Sequence, residues 1–121
     1  MDSNTQLLLL YVASGCITSL LSLPLIYRKI PPNRWYGFRV PKTLSNTHIW
    51  YEANAEAGKR LAAAGLFIAI GVTIFYFLKR WEVVYFAVAC LLITTLSLGY
   101  ALVQSFRLLG KMKADDENDK P

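Results

Sequence analysis

Acidic and basic residues are scarce in this sequence, and the three longest apolar stretches contain no Asp, Glu, Lys, Arg or His. Of 121 residues, 13 are Lys or Arg, 8 are Asp or Glu and one is His. None of these lies within 6–26, 61–78 or 83–106. Ionisable side chains inside membrane spans usually mark proton relays and ion pathways. Their absence from these stretches argues against a pump or a proton-coupled transporter.

Cysteine is also scarce, and its two occurrences fit neither a metal site nor a redox motif. Cys16 and Cys90 fall in different apolar stretches, far from the short Cys spacings that bind zinc or form redox pairs. We expect each to be a small buried apolar side chain. A disulfide between them would require two helices to touch at the same depth, which the sequence leaves open.

The sequence is rich in long runs of apolar residues. It is 55% hydrophobic with a mean hydropathy of +0.34, and a helix of roughly 20 apolar residues crosses a bilayer core of about 30 Å. We therefore predict an all-α integral membrane protein, a single membrane domain covering 1–121, with spans at about 6–27, 61–79 and 83–106. A cytoplasmic loop occupies 28–60, and the short charged tail at 111–121 is predicted to be disordered.

The distribution of basic residues predicts the orientation in the membrane. The segment before the first span has no Lys or Arg, whereas seven lie between Tyr27 and Arg60 and four follow Phe106. Basic residues favour the cytoplasmic side, and a signal peptide would carry them before its apolar run. We expect a retained first helix, an outside N-terminus and a cytoplasmic C-terminus. The same bias explains the net charge of +5 without nucleic-acid binding, for which no motif is present.

Small residues form a stripe along the second apolar stretch. Small side chains at helical spacing let two helix backbones approach closely. We expect this surface to pack within a three-helix bundle, and a homodimer interface is the alternative. The stripe consists of Gly58, Ala62, Gly65, Ala69 and Thr73.

The long loop carries more chemistry than a linker needs. Two prolines and a second extended segment at Val40–Thr43 predict an extended arm, and Asn46 is predicted to cap a helix that runs into the second span, with a bend at Gly58 as an option. The cationic, aromatic and amide side chains could bind a lipid headgroup, a peptide or a partner protein. The candidate binding residues are Asn33, Arg34, Trp35, Tyr36, Gly37, Arg39, Lys42, Trp50, Glu52 and Asn54.

One side of the predicted loop helix carries His48, Glu52 and Glu56. This set could ligate a metal or act as an acid and a base. The simpler interpretation is that the acids pair with nearby Lys or Arg, since there is no nucleophile motif and no second histidine. No metal, cofactor or catalytic residue is predicted.

Taken in order, the polar and aromatic positions of the loop resemble the signature of the SdpI family of bacterial membrane proteins. The matching positions cover about a quarter of the chain, and Thr47 and His48 stand where the family has Pro and Glu. The resemblance rests on Asn33–Arg39, Pro41–Asn46, Ile49–Tyr51, Ala53, Asn54, Gly58 and Lys59.

The resemblance implies a short, three-helix relative of an immunity protein that protects a producer from its own toxic peptide. That implies a non-enzymatic immunity or sensor role in the bacterial inner membrane. Its partners would be membrane lipids, the toxic peptide, or a transcriptional repressor held at the membrane. Two other functions stay open: a small accessory subunit of a larger membrane complex, and an enzyme acting on lipid headgroups through Glu52, Glu56 and His48.

Overall fold

The computed structural model describes the backbone of residues 1–78 and 80–118, and their side chains as far as Met112. Within these ranges the chain forms four helices and no strand. Three of them are long and apolar enough to cross a membrane, which confirms the predicted all-α membrane fold. The helices are α1 (Ser3–Ile26), α2 (Pro41–Leu44), α3 (Thr47–Leu78) and α4 (Val83–Asn118).

Helices α1 and α3 pack closely because two glycines face each other in the middle of the spans. A Cβ atom built on Gly65 would lie only 2.4 Å from the carbonyl oxygen of Gly15, and one built on Gly15 would lie 2.4 Å from that of Gly65. One turn further along α1, the hydroxyl of Ser19 donates to the carbonyl of Ala62 at 2.8 Å. The small-residue stripe is therefore a packing surface between helices of this chain.

Helix α4 packs on α3 through a buried cluster near the chain N-terminus, formed by Ile68, Val72, Phe86 and Cys90. Cys90 is buried as expected, but Cys16 is exposed, which corrects the prediction for that residue. The reason is helix rotation: Gly15 faces α3, and the next position points about 100° away.

Helix α3 joins the predicted loop helix and the second span in one continuous helix. Its start is capped as predicted, since Oδ1 of Asn46 accepts from the backbone N–H of Ile49 at 3.1 Å. Gly58 lies against the last turn of α1, where a Cβ would stand 3.0 Å from a side-chain carbon of Ile26. Residues 47–57 therefore extend about 16 Å beyond the end of α1.

Two segments differ from the sequence-based predictions. In the segment predicted as extended at Val40–Thr43, Val40 is extended, but α2 begins at Pro41, because proline suits the first position of a helix. Helix α4 continues to Asn118 although 111–121 was predicted to be disordered. Its apolar packing also passes the predicted end of the span, since Leu109 is buried and Met112 packs against the same cluster. Residues 119–121 and Lys79 lie outside the described residues.

Candidate functional site

The loop between α1 and α3, residues 27–46, is called the motif loop below, and Trp50 of α3 anchors its beginning. The Trp50 side chain is fully buried. Its Nε1 donates a hydrogen bond to the carbonyl oxygen of Ile30 at 2.8 Å. A buried indole N–H needs such a partner, so ring and loop backbone fix each other in place.

Asn33 organises the tip of the motif loop. Its Oδ1 accepts hydrogen bonds from the backbone N–H groups of Trp35 (2.8 Å) and Tyr36 (2.7 Å), the pattern of an Asx turn. Its Nδ2 donates to the carbonyl of Tyr36 at 3.0 Å. The Nε of Arg39 donates to the carbonyl of Asn33 at 2.5 Å and closes the turn from the other side. The backbone of the tip is therefore held by its own side chains.

Asn54 and Gly37 bring the motif loop into direct contact with α3. Asn54 is buried, and its Oδ1 accepts from the backbone N–H of Phe38 at 2.5 Å. Its Nδ2 donates to the carbonyl of Trp50 at 2.9 Å. Gly37 has φ +111°, and a Cβ there would lie 2.8 Å from Oδ1 of Asn54. Only glycine combines this φ with so close an approach.

The second half of the motif loop is held by Thr43 and by α4. Thr43 is fully buried, and its hydroxyl donates to the carbonyl of Phe38 at 2.8 Å. The ring of Phe38 meets that of Phe106 edge to face, with centroids 4.9 Å apart. Lys42 Nζ donates to the carbonyl of Leu109. The loop is thus clamped between α3 and the last turns of α4.

Two neighbouring side chains project from this fixed backbone. Trp35 is 90% exposed. Arg34 is exposed too, and it makes no hydrogen bond or ion pair with any residue that the structure describes. The motif loop contains five basic residues and no acidic one. The tip therefore offers a guanidinium beside an indole, which suits an anionic group next to an apolar surface.

The acids of α3 lie away from this tip and form local pairs. His48 Nε2 is 3.2 Å from Glu52 Oε2, whereas Glu56 pairs with Lys59 at 3.0 Å and with Arg60 at 3.6 Å. Glu56 thus pairs with basic residues as the sequence indicated, and Glu52 pairs with the histidine. Among the described residues, no three His, Cys, Asp or Glu side chains are grouped to hold a metal ion.

Tyr36 has an unusual environment at the loop tip. Its hydroxyl is buried and has no hydrogen-bond partner within the described part of the chain. Burial raises the pKa of this phenol above its ordinary value of 10.0. Buried hydroxyls without a hydrogen-bond partner are uncommon. The Tyr36 hydroxyl is therefore a hydrogen-bond donor that no described residue of the chain uses.

The predicted binding residues therefore have different structural roles. Two are outward side chains, Arg34 and Trp35, and the others are engaged in bonds, pairs or packing within the chain. The engaged set consists of Asn33, Tyr36, Gly37, Arg39, Lys42, Trp50, Glu52 and Asn54.

Two residues that hold the loop, Phe38 and Thr43, were missing from the predicted set. A signal existed for Thr43, because a hydroxyl in the first turn of a helix can bond the backbone just before it. Here that hydroxyl accepts from the N–H of Val40 at 3.1 Å. For Phe38 no local signal existed, because its ring partner is in α4.

The chain matches the model of a known protein family. A model described as the SdpI/YfhL protein family matches residues 29–100, more than half of the chain. This segment includes almost the whole motif loop, all of α2 and α3, and the first half of α4. Neither the curated proteins nor the solved structures gave a match to this chain.

Proposed function

The chain belongs to the SdpI/YfhL family, and from this premise we propose that it is a non-enzymatic immunity or sensor protein. It is a multi-pass membrane protein with three long apolar helices. In the proposed role it acts in the bacterial inner membrane against a membrane-active toxic peptide. The N-terminus lies outside, and the motif loop and the C-terminus face the cytoplasm, as the basic residues favour.

The observation that supports this role is the contrast between the fixed backbone of the motif loop and its outward tip. Eight of the ten predicted residues are engaged within the chain, and Arg34 and Trp35 are left to meet a partner. A fixed loop loses little conformational entropy on binding. Contacts made by the guanidinium and the indole can then be selective for one partner.

The partner of this tip offers an anionic group beside an apolar surface. Lipid headgroups have this chemistry, and so does an acidic segment of a toxic peptide or of a repressor held at the membrane. We place the lipid contact first, because Trp and Arg together suit the headgroup level of a bilayer. Nucleic acid has no part in the proposal.

The proposal is tested in cells that lack the gene. We expect the deletion to sensitise cells to at least one peptide in a panel of membrane-active peptides. The wild-type gene should restore resistance, and a double variant with Arg34→Ala and Trp35→Ala should not. Arg107→Ala, which removes an exposed arginine of α4, is the matched control and should restore resistance fully.

Protein levels in the membrane fraction distinguish a lost contact from a lost fold. The double variant should accumulate like wild type, because neither side chain holds the loop. Trp50→Ala should lower the level, because it empties a fully buried position. Equal survival of the deletion strain and wild type across the whole panel would contradict the immunity role.

A second candidate is an accessory subunit of a larger membrane complex. The outer faces of α1 and α4 are exposed along the spans, as suits lipid or another membrane helix. Purification in a mild detergent distinguishes the two functions: a stoichiometric partner protein favours the accessory subunit, and a monomer or a homodimer argues against it. An enzyme acting on lipid headgroups would lose lipid turnover on Glu52→Gln.

A further inference from the structure

The end of the bundle opposite the motif loop contains a cavity of about 590 Å³, called the distal cavity below. It lies between the first residues of α1, the end of α3 and the start of α4. A second hollow of about 330 Å³ shares Arg80 and Trp81 with it. Small-molecule sites typically measure about 300–1,000 Å³. The distal cavity is therefore large enough for a small polar group.

Two opposite charges line the distal cavity, Asp2 and Arg80. Asp2 caps α1, and its Oδ1 accepts from the backbone N–H of Thr5 at 2.7 Å. Hydrogen bonding from Thr5, first through its side chain and then through its backbone N–H, holds the pKa of Asp2 below 3.8, and the charges of the N-terminal ammonium and of Arg80 contribute in the same direction. Asp2 is therefore ionised at neutral pH. Within 1–78 and 80–112, neither charge lies within 4.0 Å of an opposite one.

A neutral acceptor and aromatic rings complete the wall. Asn4 donates through Nδ2 to the carbonyl of Trp81 at 2.6 Å, while its Oδ1 is buried and lacks a hydrogen-bond partner among the described residues. The ring of Trp81 stacks on that of Phe75 at 4.4 Å, which fixes its position. The hydroxyls of Tyr76 and Thr5 bond each other at 2.8 Å. A cation here would meet a carboxylate, an amide oxygen and π-faces.

We propose that the distal cavity binds a phosphoethanolamine group, with the phosphate against Arg80 and the ammonium against Asp2. A zwitterion matches an unpaired anion and an unpaired cation in one cavity. Phosphoglycerol would leave Asp2 without a cation, and phosphocholine has no N–H to donate. Tyr76, Tyr85 and Trp81 at this end are typical of a membrane–water interface. A lipid carrying the group can therefore enter from the bilayer.

Binding is measured on the purified full chain in detergent by native mass spectrometry. Short-chain phosphatidylethanolamine, phosphatidylglycerol and phosphatidylcholine are titrated separately. We expect phosphatidylethanolamine to bind about tenfold more tightly than either of the others, the effect of one added charge-assisted hydrogen bond. Equal affinity for the three lipids would overturn the proposal.

Two variants test the phosphate contact and the ammonium contact of phosphoethanolamine separately. Arg80→Gln should weaken all three lipids by about tenfold, because all carry a phosphate. Asp2→Asn keeps a capping side chain and should weaken phosphatidylethanolamine alone, which abolishes the preference. Arg107→Gln, at the opposite end of the bundle, is the control and should bind like wild type. Unchanged binding by Arg80→Gln at wild-type helicity would overturn the proposal.

Free phosphoethanolamine distinguishes the two sources of the group. If it displaces the lipid at concentrations near the Kd of the lipid, the cavity recognises the soluble group. If displacement requires acyl chains, the ligand is the lipid itself. Either result supports the site, and failure of both forms to bind overturns it. The test is independent of the immunity role, because none of these residues belongs to the motif loop.

Discussion

Gly37 is the residue at which the motif loop comes closest to α3. Its φ of +111° is strained for any residue with a side chain, and an added methyl would meet Oδ1 of Asn54 and the ring of Trp50. We predict that Gly37→Ala lowers the free energy of unfolding by about 1–3 kcal/mol. Reversible unfolding in mixed detergent micelles measures this loss.

Gly99 provides the matched control for that substitution. It lies inside α4, and a Cβ there would meet nothing within 4 Å. Gly99→Ala should leave stability unchanged or raise it by about 0.5–1 kcal/mol, because alanine is the better helix former. If both variants lose the same stability, the close approach at Gly37 is not the cause.

The buried hydroxyl of Tyr36 makes loop stability depend on alkaline pH. Burial raises the pKa of Tyr36 above 10.0, so the folded chain keeps a proton that the unfolded chain releases near pH 10. Its contribution is complete below that pH and is lost as the pH rises through the folded-state pKa. We predict that Tyr36→Phe reduces the fall in stability above pH 10, measured by unfolding at a series of pH values.

Tyr27→Phe is the control for this pH dependence, because Tyr27 is an exposed tyrosine at the start of the same loop. It should retain the alkaline loss seen in wild type. Identical pH profiles for wild type and Tyr36→Phe would show that the buried phenol has no part in the loss.

At the scale of helices, the contact between α1 and α3 depends on paired glycines. A methyl group on Gly65 would lie 2.4 Å from a backbone oxygen of Gly15, so the helices would have to move apart. We predict that Gly65→Ala destabilises the fold by about 1–3 kcal/mol. Gly71→Ala is the control, since its nearest neighbour would be Ile93 at an ordinary 3.5 Å. Thermal unfolding in the same detergent compares the two.

The helices also show what local sequence can predict. Apolar length predicted the three long helices, and the chemistry of Asn46 predicted the start of α3, because both signals lie within a few residues. The exposure of Cys16 was predicted wrongly, because it depends on how α1 rotates against α3. The start of α2 at Pro41 was missed because a proline serves an extended segment and a first helical turn equally well.

For the whole molecule, the main untested prediction is its orientation. Two single-cysteine variants in a Cys16→Ser, Cys90→Ala background test it: Ser3→Cys at the start of α1 and Ser45→Cys in the motif loop. A membrane-impermeant maleimide should label Ser3→Cys in intact cells and Ser45→Cys only after permeabilisation. Labelling of Ser45→Cys in intact cells would reverse the topology.

The candidate site was only partly predictable at this scale. Its segment and residue types were evident, because a polar, aromatic stretch between apolar spans stands out. The sequence did not indicate which of these residues hold the loop and which point outward. That distinction depends on contacts across the fold: Asn54 bonds Phe38, and Lys42 bonds Leu109 of α4. The distal cavity was missed because its walls come from three helix ends and share no motif.

Helix α3 is one continuous helix, so a tilt of its membrane span also moves the segment that carries the motif loop. The segment 47–57, which carries the motif loop through Trp50 and Asn54, projects about 16 Å past the point where Gly58 touches α1. A tilt of the span about that contact by about 10° would displace the loop by about 3 Å, and the part of α4 around Leu109 would have to move with it, because Phe38 packs on Phe106 and Lys42 bonds Leu109. A disturbance of the bilayer around the span would thus move Arg34 and Trp35 directly, because one continuous helix connects the span to the motif loop.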